Sequence, residues 1–281
     1  MIQFDINMKD GIAVILPIYE KDRLIYIKQS IDSILSQTYK TVNIYIGVDG
    51  HIEKEMQDCL RIYENVDKIR IIYFSENRGL AAVLNDLILL CHKDGFEYIA
   101  RMDADDISLP TRLEKQMFFL KTHPEVDVVG GTIEEIDEKG ELRGKTVVYP
   151  ATSESCRRFF AYRNPHAHPA VLFRYRFFEK AGCLYRSEYR QNQDTMLWFD
   201  GLKKGVIMAN IPDVVLQFRI TNDLFKKRRN GWNFAKKQLR DRMIINKELR
   251  YGIGAYVFAY FMFFLLVSPP GVKKFAYRIF R

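Results

Sequence analysis

Short apolar segments alternate with segments of helical periodicity over the first 131 residues, and this order constrains the fold more than any other feature. Residues 12–18 (IAVILPI) form a β-branched apolar run, whereas residues 22–37 place apolar side chains at helical spacing. The pattern repeats with strands expected at 42–48, 69–74, 96–102 and 126–131, and helices at 51–64, 79–92 and 110–122. Strands that alternate with helices of this length predict a mostly parallel sheet covered on both faces.

The pattern changes after residue 131. Residues 138–141 (EKGE) are typical of a hairpin turn, here between strands at 132–137 and 144–149. A helix at 153–162, a strand at 168–173, a helix at 192–204 and two strands near 206–218 are expected to complete the body. We therefore expect one α/β body over residues 1–222, with halves at 11–131 and 132–222.

Charge separates this body from the C-terminal region. The chain of 281 residues has a formal net charge of +8. Fourteen Lys and Arg against three acids give residues 223–281 a charge of +11, which leaves −3 for residues 1–222. A mildly acidic body argues against a protein that coats nucleic acid, because that binding requires basic charge at the binding face.

The cysteines and the N-terminus indicate the compartment. The four cysteines are scattered and form no Cys-x-x-Cys pair, which is typical of thiols in a reducing environment. The N-terminal segment lacks a basic region followed by a long apolar one, so no signal peptide is predicted. The body is expected in the cytoplasm.

Residues 251–267 form an uncharged segment with seven aromatic residues and basic residues on both sides. As a helix they would be about 26 Å long, slightly less than the ~30 Å hydrocarbon core of a membrane. Basic charge at both ends favours a segment that re-enters an anionic membrane or lies in its plane, and residues 272–280 suit an amphipathic helix at the membrane surface. A helical hairpin packed on the body and a true membrane span are the alternatives.

Acidic side chains follow the apolar strand at 96–102 as Asp103-Ala104-Asp105-Asp106. Ligands of open α/β sheets bind at the carboxyl ends of the strands, and crowded carboxylates there suit a hard divalent cation that carries a nucleotide diphosphate. A solvated acidic turn is the alternative. Other strand ends carry Pro17-Ile18-Tyr19-Glu20, Asp49-Gly50 and Asn77-Arg78-Gly79.

In this order the four segments resemble the motifs of the family 2 glycosyltransferases, which are inverting enzymes with a GT-A fold. That fold is a Rossmann-like, nucleotide-binding mixed sheet flanked by helices. Gln37 also fits the family pattern, and the resemblance covers roughly residues 11–220. It implies that 11–131 is the nucleotide-binding half, that 132–222 binds the acceptor, and that 223–281 is a helical region associated with a membrane.

The resemblance also implies roles for individual residues. Asp49 would bind the base, Arg78 would contact base or diphosphate, and Asp103 would lie near the ribose and the metal. Asp105 would be the main ligand of Mn²⁺ or Mg²⁺. Nucleotide-sugar contacts are also expected from Pro17, Tyr19, Glu20 and Ala104. The usual donor of the family is a UDP-sugar.

The general base of an inverting enzyme takes a proton from the acceptor hydroxyl. Family members place it in an acidic pair at the start of a helix, often before Leu-Trp, and the matching segment here is Gln193-Asp194-Thr195-Met196-Leu197-Trp198. Asp194 is therefore the candidate base, and a helix-capping aspartate is the alternative. No Gln-x-x-Arg-Trp motif of processive members is present, which favours transfer of a single sugar. Residues 218–221 (FRIT) lack the histidine that helps to hold the metal in many members.

The segment Asn164-Pro165-His166-Ala167-His168-Pro169 is similar to segments that border the acceptor and diphosphate in bacterial polysaccharide members. His168, His166 and Trp198 are therefore candidate acceptor contacts, and a structural histidine is the alternative for His168. Zinc binding by the His-x-His spacing is disfavoured, because no third ligand is close in the sequence. The expected acceptor is a saccharide on a polyprenyl diphosphate at the cytoplasmic face of a bacterial inner membrane, as in O-antigen or capsule synthesis. A sugar nucleotidyltransferase, disfavoured because residues 17–21 contain no glycine, and a non-catalytic membrane scaffold remain alternatives.

Overall fold

A computed structural model describes residues 10–221 and 232–268 of the chain. The predicted alternation of strands and helices is present over residues 10–136. In chain order the strands and helices of this part are β1 (Ile12–Ile18), α1 (Leu24–Leu35), β2 (Val42–Asp49), α2 (Lys54–Glu64), β3 (Ile69–Phe74), α3 (Leu80–Lys93), β4 (Tyr98–Arg101), β5 (Ile107–Ser108), α4 (Arg112–Thr122) and β6 (Val128–Ile136).

The remaining elements include the predicted hairpin and two C-terminal helices. They are β7 (Leu142–Val147), α5 (Ser153–Phe160), β8 (Leu172–Arg174), α6 (Arg176–Ala181), α7 (Gln193–Lys203), β9 (Met208–Arg219), α8 (Trp232–Glu248) and α9 (Ile253–Val267). A short 3-10 helix, His168–Ala170, precedes β8.

All nine strands described belong to one mixed sheet, in the order β3-β2-β1-β4-β8-β6-β9-β5, with β7 paired to β6. The pairs among β3, β2, β1 and β4 are parallel, while β8 is antiparallel to both of its neighbours. The carboxyl ends of β1, β2 and β4 therefore meet at one edge of the sheet, where ligands of such sheets bind.

Both faces of the sheet are buried, as the apolar runs predict. Along β1, Ile12, Val14 and Leu16 pack into one core cluster, and Ala13 and Ile15 pack into the other. The first cluster includes apolar residues of α1, α2 and α4, and the second includes those of α3, α6 and α7. This two-sided packing fixes the edge that carries the polar strand ends.

Two predictions about strands in the second half of the body are wrong. Residues 206–218 do not form two strands, because β9 continues through Pro212 as one strand of twelve residues. Its register with β6 shifts so that Gly131 pairs with Ile211 and Thr132 with Val214, and this bulge accommodates the proline. The strand expected at 168–173 begins as the 3-10 helix, and strand geometry is present only over β8.

The helices α8 and α9 pack on the α/β body as a hairpin. Ile245 of α8 and Leu249, the residue that follows α8, are buried in the second core cluster. Phe258 of α9 makes an edge contact with the Tyr162 ring. None of the helices within residues 10–221 and 232–268 has the length and hydropathy required to cross a bilayer. The basic residues 226–229 and the predicted amphipathic segment 272–280 lie outside the described residues.

Candidate active site

A cleft of about 890 Å³ opens at the carboxyl ends of β1, β2 and β4. Residues of the strand ends line it, together with the loop before α7 and the first turn of that helix. Seven of the predicted nucleotide and metal residues line it, a set that comprises Pro17, Tyr19, Glu20, Asp49, Asp103, Ala104 and Asp105. The parallel strands thus bring together residues that are up to 88 positions apart in the sequence.

Three aspartates cluster in the turn after β4, and two of them, Asp103 and Asp105, line the cleft. The carboxylate oxygens of Asp103, Asp105 and Asp106 lie within 4.8 Å of one another. Asp103 pairs with the guanidinium of the buried Arg101, at the end of β4. The predicted pair of metal ligands therefore has a third carboxylate, Asp106, beside it.

Asp106 provides the test of whether this cluster fits a cation. Its side chain is only 1% exposed, and its Oδ2 atom has no hydrogen-bond partner. Burial, followed by the charges of Asp105 and Asp103, raises the pKa of Asp106 well above its ordinary value. A buried carboxylate that has one oxygen without a hydrogen bond and lies beside two others is costly unless a cation compensates it. Oxygen ligands in this arrangement fit Mg²⁺ or Mn²⁺.

Arg219, at the end of β9, holds the aspartate turn in place. Its backbone N–H donates to Oδ1 of Asp106 at 2.8 Å, and its Nε donates to the carbonyl oxygen of Asp105 at 2.8 Å. Its guanidinium also donates to Oε1 of Gln29 in α1 at 2.7 Å. Residues 218–221, which lack the metal-binding histidine of many family members, therefore contain an arginine that orients the acidic turn.

Asp49 has a second role besides the predicted contact with a base. Its two carboxylate oxygens accept hydrogen bonds from the backbone N–H groups of Arg78 and Gly79, at 2.7 and 2.9 Å. These bonds satisfy donors at the start of α3 and orient the carboxylate at the cleft. Gly50 follows with φ +86°, and a Cβ there would lie 2.7 Å from the backbone nitrogen of Asn77, so this close approach requires glycine.

Arg78 is not brought to the cleft lining. Its guanidinium pairs with Asp86 one to two turns along α3 and lies 4.3 Å from the centre of the Phe74 ring. The arginine that lines the cleft beside α3 is Arg190, whose Nη1 lies 3.4 Å from Oδ1 of Asn77. A Cβ on Gly79 would collide with this guanidinium. Sequence reasoning did not identify Arg190, which lies in a loop without periodicity.

Asp194 lies in the first turn of α7 and lines the cleft. Its Oδ2 accepts a hydrogen bond of 2.9 Å from Nδ2 of Asn164, and its Oδ1 accepts one of 2.8 Å from the N–H of Thr195. The Thr195 hydroxyl donates to Oδ1 of Asn164 at 3.0 Å, which fixes the amide. The carboxylate is thus oriented at the cleft, in a geometry that suits a proton acceptor.

His166, His168 and Trp198 lie behind the cleft and do not line it. His166 is buried, with its Nδ1 atom 2.8 Å from Oδ1 of Asn210, and burial lowers its pKa to about 4. Nε2 of His168 lies 2.6 Å from the hydroxyl of Tyr185. The Trp198 ring is fully buried against Phe173. In this position the three rings support the segment that carries Asn164, and direct contact with an acceptor stays a prediction.

Comparison with known proteins agrees with this geometry. Residues 13–181 match the model of the family described as glycosyl transferase family 2. The chain is 31% identical over 228 residues to the amylovoran biosynthesis glycosyltransferase AmsE of Erwinia amylovora, which covers 81% of this chain and 83% of that protein. It is also 31% identical over 227 residues to the O-antigen biosynthesis glycosyltransferase WbnJ of Escherichia coli, with coverage of 79% and 84%.

A third relative and a solved structure extend the comparison. An E. coli enzyme named UDP-Gal:alpha-D-GlcNAc-diphosphoundecaprenol beta-1,3-galactosyltransferase is 26% identical over 228 residues, which cover 81% of this chain and 80% of that one. The crystal structure of S. aureus TarS 1-349 with UDP-GlcNAc has a similar fold, with a TM-score of 0.65 at 14% identity, and covers 86% of this chain and 67% of that one. The chain belongs to glycosyl transferase family 2.

Proposed function

We propose that the protein transfers a single hexose or N-acetylhexosamine, with inversion, from a UDP-sugar to a lipid-linked saccharide of a bacterial surface polysaccharide. The observation that carries this proposal is the cleft itself, which is lined by two of the three clustered carboxylates and by the oriented carboxylate of Asp194. The names of the relatives support it, since they include enzymes of amylovoran and O-antigen biosynthesis and one with a UDP-Gal donor and a diphosphoundecaprenol-linked acceptor.

In the proposed mechanism one group of cleft residues binds the donor, and Asp194 acts on the acceptor. Asp105, Asp103 and Asp106 would hold Mn²⁺ or Mg²⁺, which when bound supplies positive charge to the diphosphate of the departing nucleotide. Arg190 adds a second positive charge on the donor side, and Asp49 accepts a hydrogen bond from the base. Asp194 accepts the proton of the acceptor hydroxyl as that oxygen attacks the anomeric carbon from the opposite face. One inversion of this kind gives a β-linkage from an α-linked donor.

A donor screen tests the proposed reaction. The protein would be incubated with Mn²⁺, a synthetic polyprenyl diphosphate saccharide and one radiolabelled nucleotide sugar at a time. We expect label to pass into the lipid fraction from a UDP-sugar, with equimolar release of UDP. Transfer of the nucleotide to a sugar phosphate would instead indicate a nucleotidyltransferase, and the absence of any nucleotide affinity would favour a non-catalytic scaffold.

The hairpin of α8 and α9 supports a location at the cytoplasmic face of the inner membrane. Large apolar side chains recur at helical spacing on the outer side of α9 and are well exposed, with Ile253 at 83% and Phe264 at 64%. The members of this exposed face are Ile253, Val257, Tyr260, Phe261 and Phe264. Lys247 and Arg250 precede it, and both are exposed. An apolar face beside basic residues fits attachment in the plane of an anionic bilayer.

Substitution of this exposed face should weaken membrane binding without unfolding the body. The double change Val257→Asn and Phe264→Asn is expected to lower binding to phosphatidylglycerol vesicles by about tenfold or more, because each side chain contributes roughly 1.5–3 kcal/mol when fully buried. Phe118→Asn, which replaces an exposed phenylalanine of α4, is the matched control. Cosedimentation with vesicles measures the effect, and unchanged binding of the double variant would contradict attachment through α9.

Removal of the whole C-terminal region is a less informative test of attachment. Residues 223–281 include Ile245 and Leu249, whose burial in the second core cluster would be lost together with the exposed face of α9. Loss of membrane binding after such a truncation could therefore reflect damage to the body.

A further inference from the structure

The two C-terminal helices form part of the wall of the cleft in addition to packing on the body. Phe234, Gln238 and Arg242 of α8 line it, and their spacing of four residues places them on one face of that helix. Met262 and Leu266 of α9 line it too, one turn apart. The proposed donor contacts lie on the strand ends and in the loop before α7, so the hairpin is a part of the cleft lining that is left for an acceptor.

Hydrogen bonds to the loop before α7 fix the position of α8 beside the candidate base. Nδ2 of Asn192 donates to Oδ2 of Asp241 at 3.2 Å, and Nε2 of Gln238 donates to Oδ1 of Asn192. Asn192 immediately precedes α7, the helix that carries Asp194 in its first turn. These bonds therefore hold the polar face of α8 against the residues that immediately precede the candidate base in the chain.

Arg242 is a cation in this wall with no acidic partner. Its Nη1 donates to the carbonyl oxygen of Phe160 at 2.8 Å, and its guanidinium lies 5.2 Å from the centre of the Phe160 ring. Across the described ranges no carboxylate oxygen lies within 4.0 Å of it. Burial lowers the pKa of Arg242, although the nearby charge of Asp194 partly offsets this. A partly buried guanidinium with unused donors favours an anion, and phosphate oxygens match its geometry.

The apolar side chains that line the cleft together with Arg242 indicate which kind of anion would bind there. Met262 and Leu266 present hydrocarbon to the same cleft, and a nucleotide or a free sugar has no group that would require it. A ligand that joins an anion to a hydrocarbon chain would contact both the Arg242 guanidinium and the two apolar side chains. Isoprenoid diphosphates have this chemistry.

We propose that α8 and α9 form the site for the lipid diphosphate of the acceptor, in which Arg242 contacts the diphosphate and Met262 and Leu266 contact the first isoprenoid units. This inference rests on the proposed transfer to a lipid-linked saccharide, and it adds where the lipid part of that acceptor binds. The saccharide then extends from Arg242 toward Asp194, and the hydrocarbon leaves along α9.

Binding of farnesyl diphosphate tests this site without knowledge of the sugar. The full chain would be saturated with UDP and Mg²⁺, so that the donor side is filled, and titrated with farnesyl diphosphate, inorganic pyrophosphate or farnesol. We expect farnesyl diphosphate to bind at least about tenfold more tightly than either fragment, because each fragment lacks half of the contacts. Equal affinity for farnesyl diphosphate and pyrophosphate would overturn the proposal.

Single substitutions test the proposed diphosphate contact and the proposed isoprenoid contact separately. Arg242→Gln should weaken farnesyl diphosphate binding by about tenfold or more, and Arg242→Lys should restore part of it. Met262→Asn should weaken farnesyl diphosphate binding but not pyrophosphate binding. The controls are Arg240→Gln and Ile244→Asn, which change exposed residues of α8 that do not line the cleft.

UDP affinity, measured for every variant, separates the possible failures. The Arg242→Gln variant could bind UDP normally and still bind farnesyl diphosphate as tightly as the parent protein. That result would overturn this lipid diphosphate site and would leave the proposed transfer reaction unaffected. A parent protein that binds no UDP in the presence of Mg²⁺ would overturn the proposed function and this inference with it.

Discussion

The change Asp194→Asn is expected to reduce sugar transfer by about 10²- to 10⁴-fold, the usual contribution of a general base, while UDP affinity remains as in the parent protein. Asparagine has the size of aspartate and keeps one oxygen to accept the hydrogen bond from Asn164. It has no carboxylate to receive the proton of the acceptor hydroxyl. The loss should therefore be in kcat, with little change in donor binding.

Steady-state transfer assays and UDP titrations of the same preparation measure this effect. Glu188→Gln, which neutralises an exposed carboxylate in the loop before α7, is the matched control and should leave both quantities unchanged. If the Asp194 variant retained near-parental turnover, Asp194 would be a helix-capping residue and the base would have to be another group.

Loss of the Asp105 carboxylate should have the next largest effect. Asp105→Ala removes one of three clustered oxygen ligands, and we expect turnover to fall on the order of 10³-fold, the equivalent of about 4 kcal/mol. UDP should lose the part of its affinity that depends on Mn²⁺ or Mg²⁺, because the cation is expected to link the carboxylates to the diphosphate. Treatment of the parent protein with a chelator should have the same result.

Calorimetry with UDP, with and without Mn²⁺, distinguishes this from a general loss of folding. Asp213→Asn, which alters an exposed carboxylate paired with Lys115, serves as the control. Metal-independent UDP binding of unchanged strength in both the variant and the chelated parent would contradict the role of the aspartate turn as a cation site.

The meeting of the strand-end residues could be predicted from the sequence, because the carboxyl ends of parallel strands lie at the same edge of a sheet. Once β1, β2 and β4 are identified from their apolar runs, Tyr19, Asp49 and Asp105 must meet at the same edge of the sheet, and the structure places them there. The bounds of β1 and β3 were also predicted correctly, since both strands are continuous apolar or alternating runs.

Other parts of the site depend on tertiary contacts that leave no local pattern. The side chain of Arg78 could have been directed into the cleft or along α3, and a pairing with Asp86 decides between the two. Arg190 belongs to an irregular loop, and the approach of Arg242 depends on how α8 packs. Two strands were expected near 206–218, whereas β9 is a single strand, because the bulge opposite β6 accommodates Pro212.

The hairpin of α8 and α9 also suggests how acceptor preference could diverge among related enzymes. Its five cleft residues lie after residue 231, whereas the strand-end residues of the donor side all lie before residue 106. Recombination that exchanges only the C-terminal segment between two relatives would therefore replace one wall of the cleft and keep the other. In such chimeras, the choice of nucleotide sugar and the choice of acceptor could evolve as separate traits.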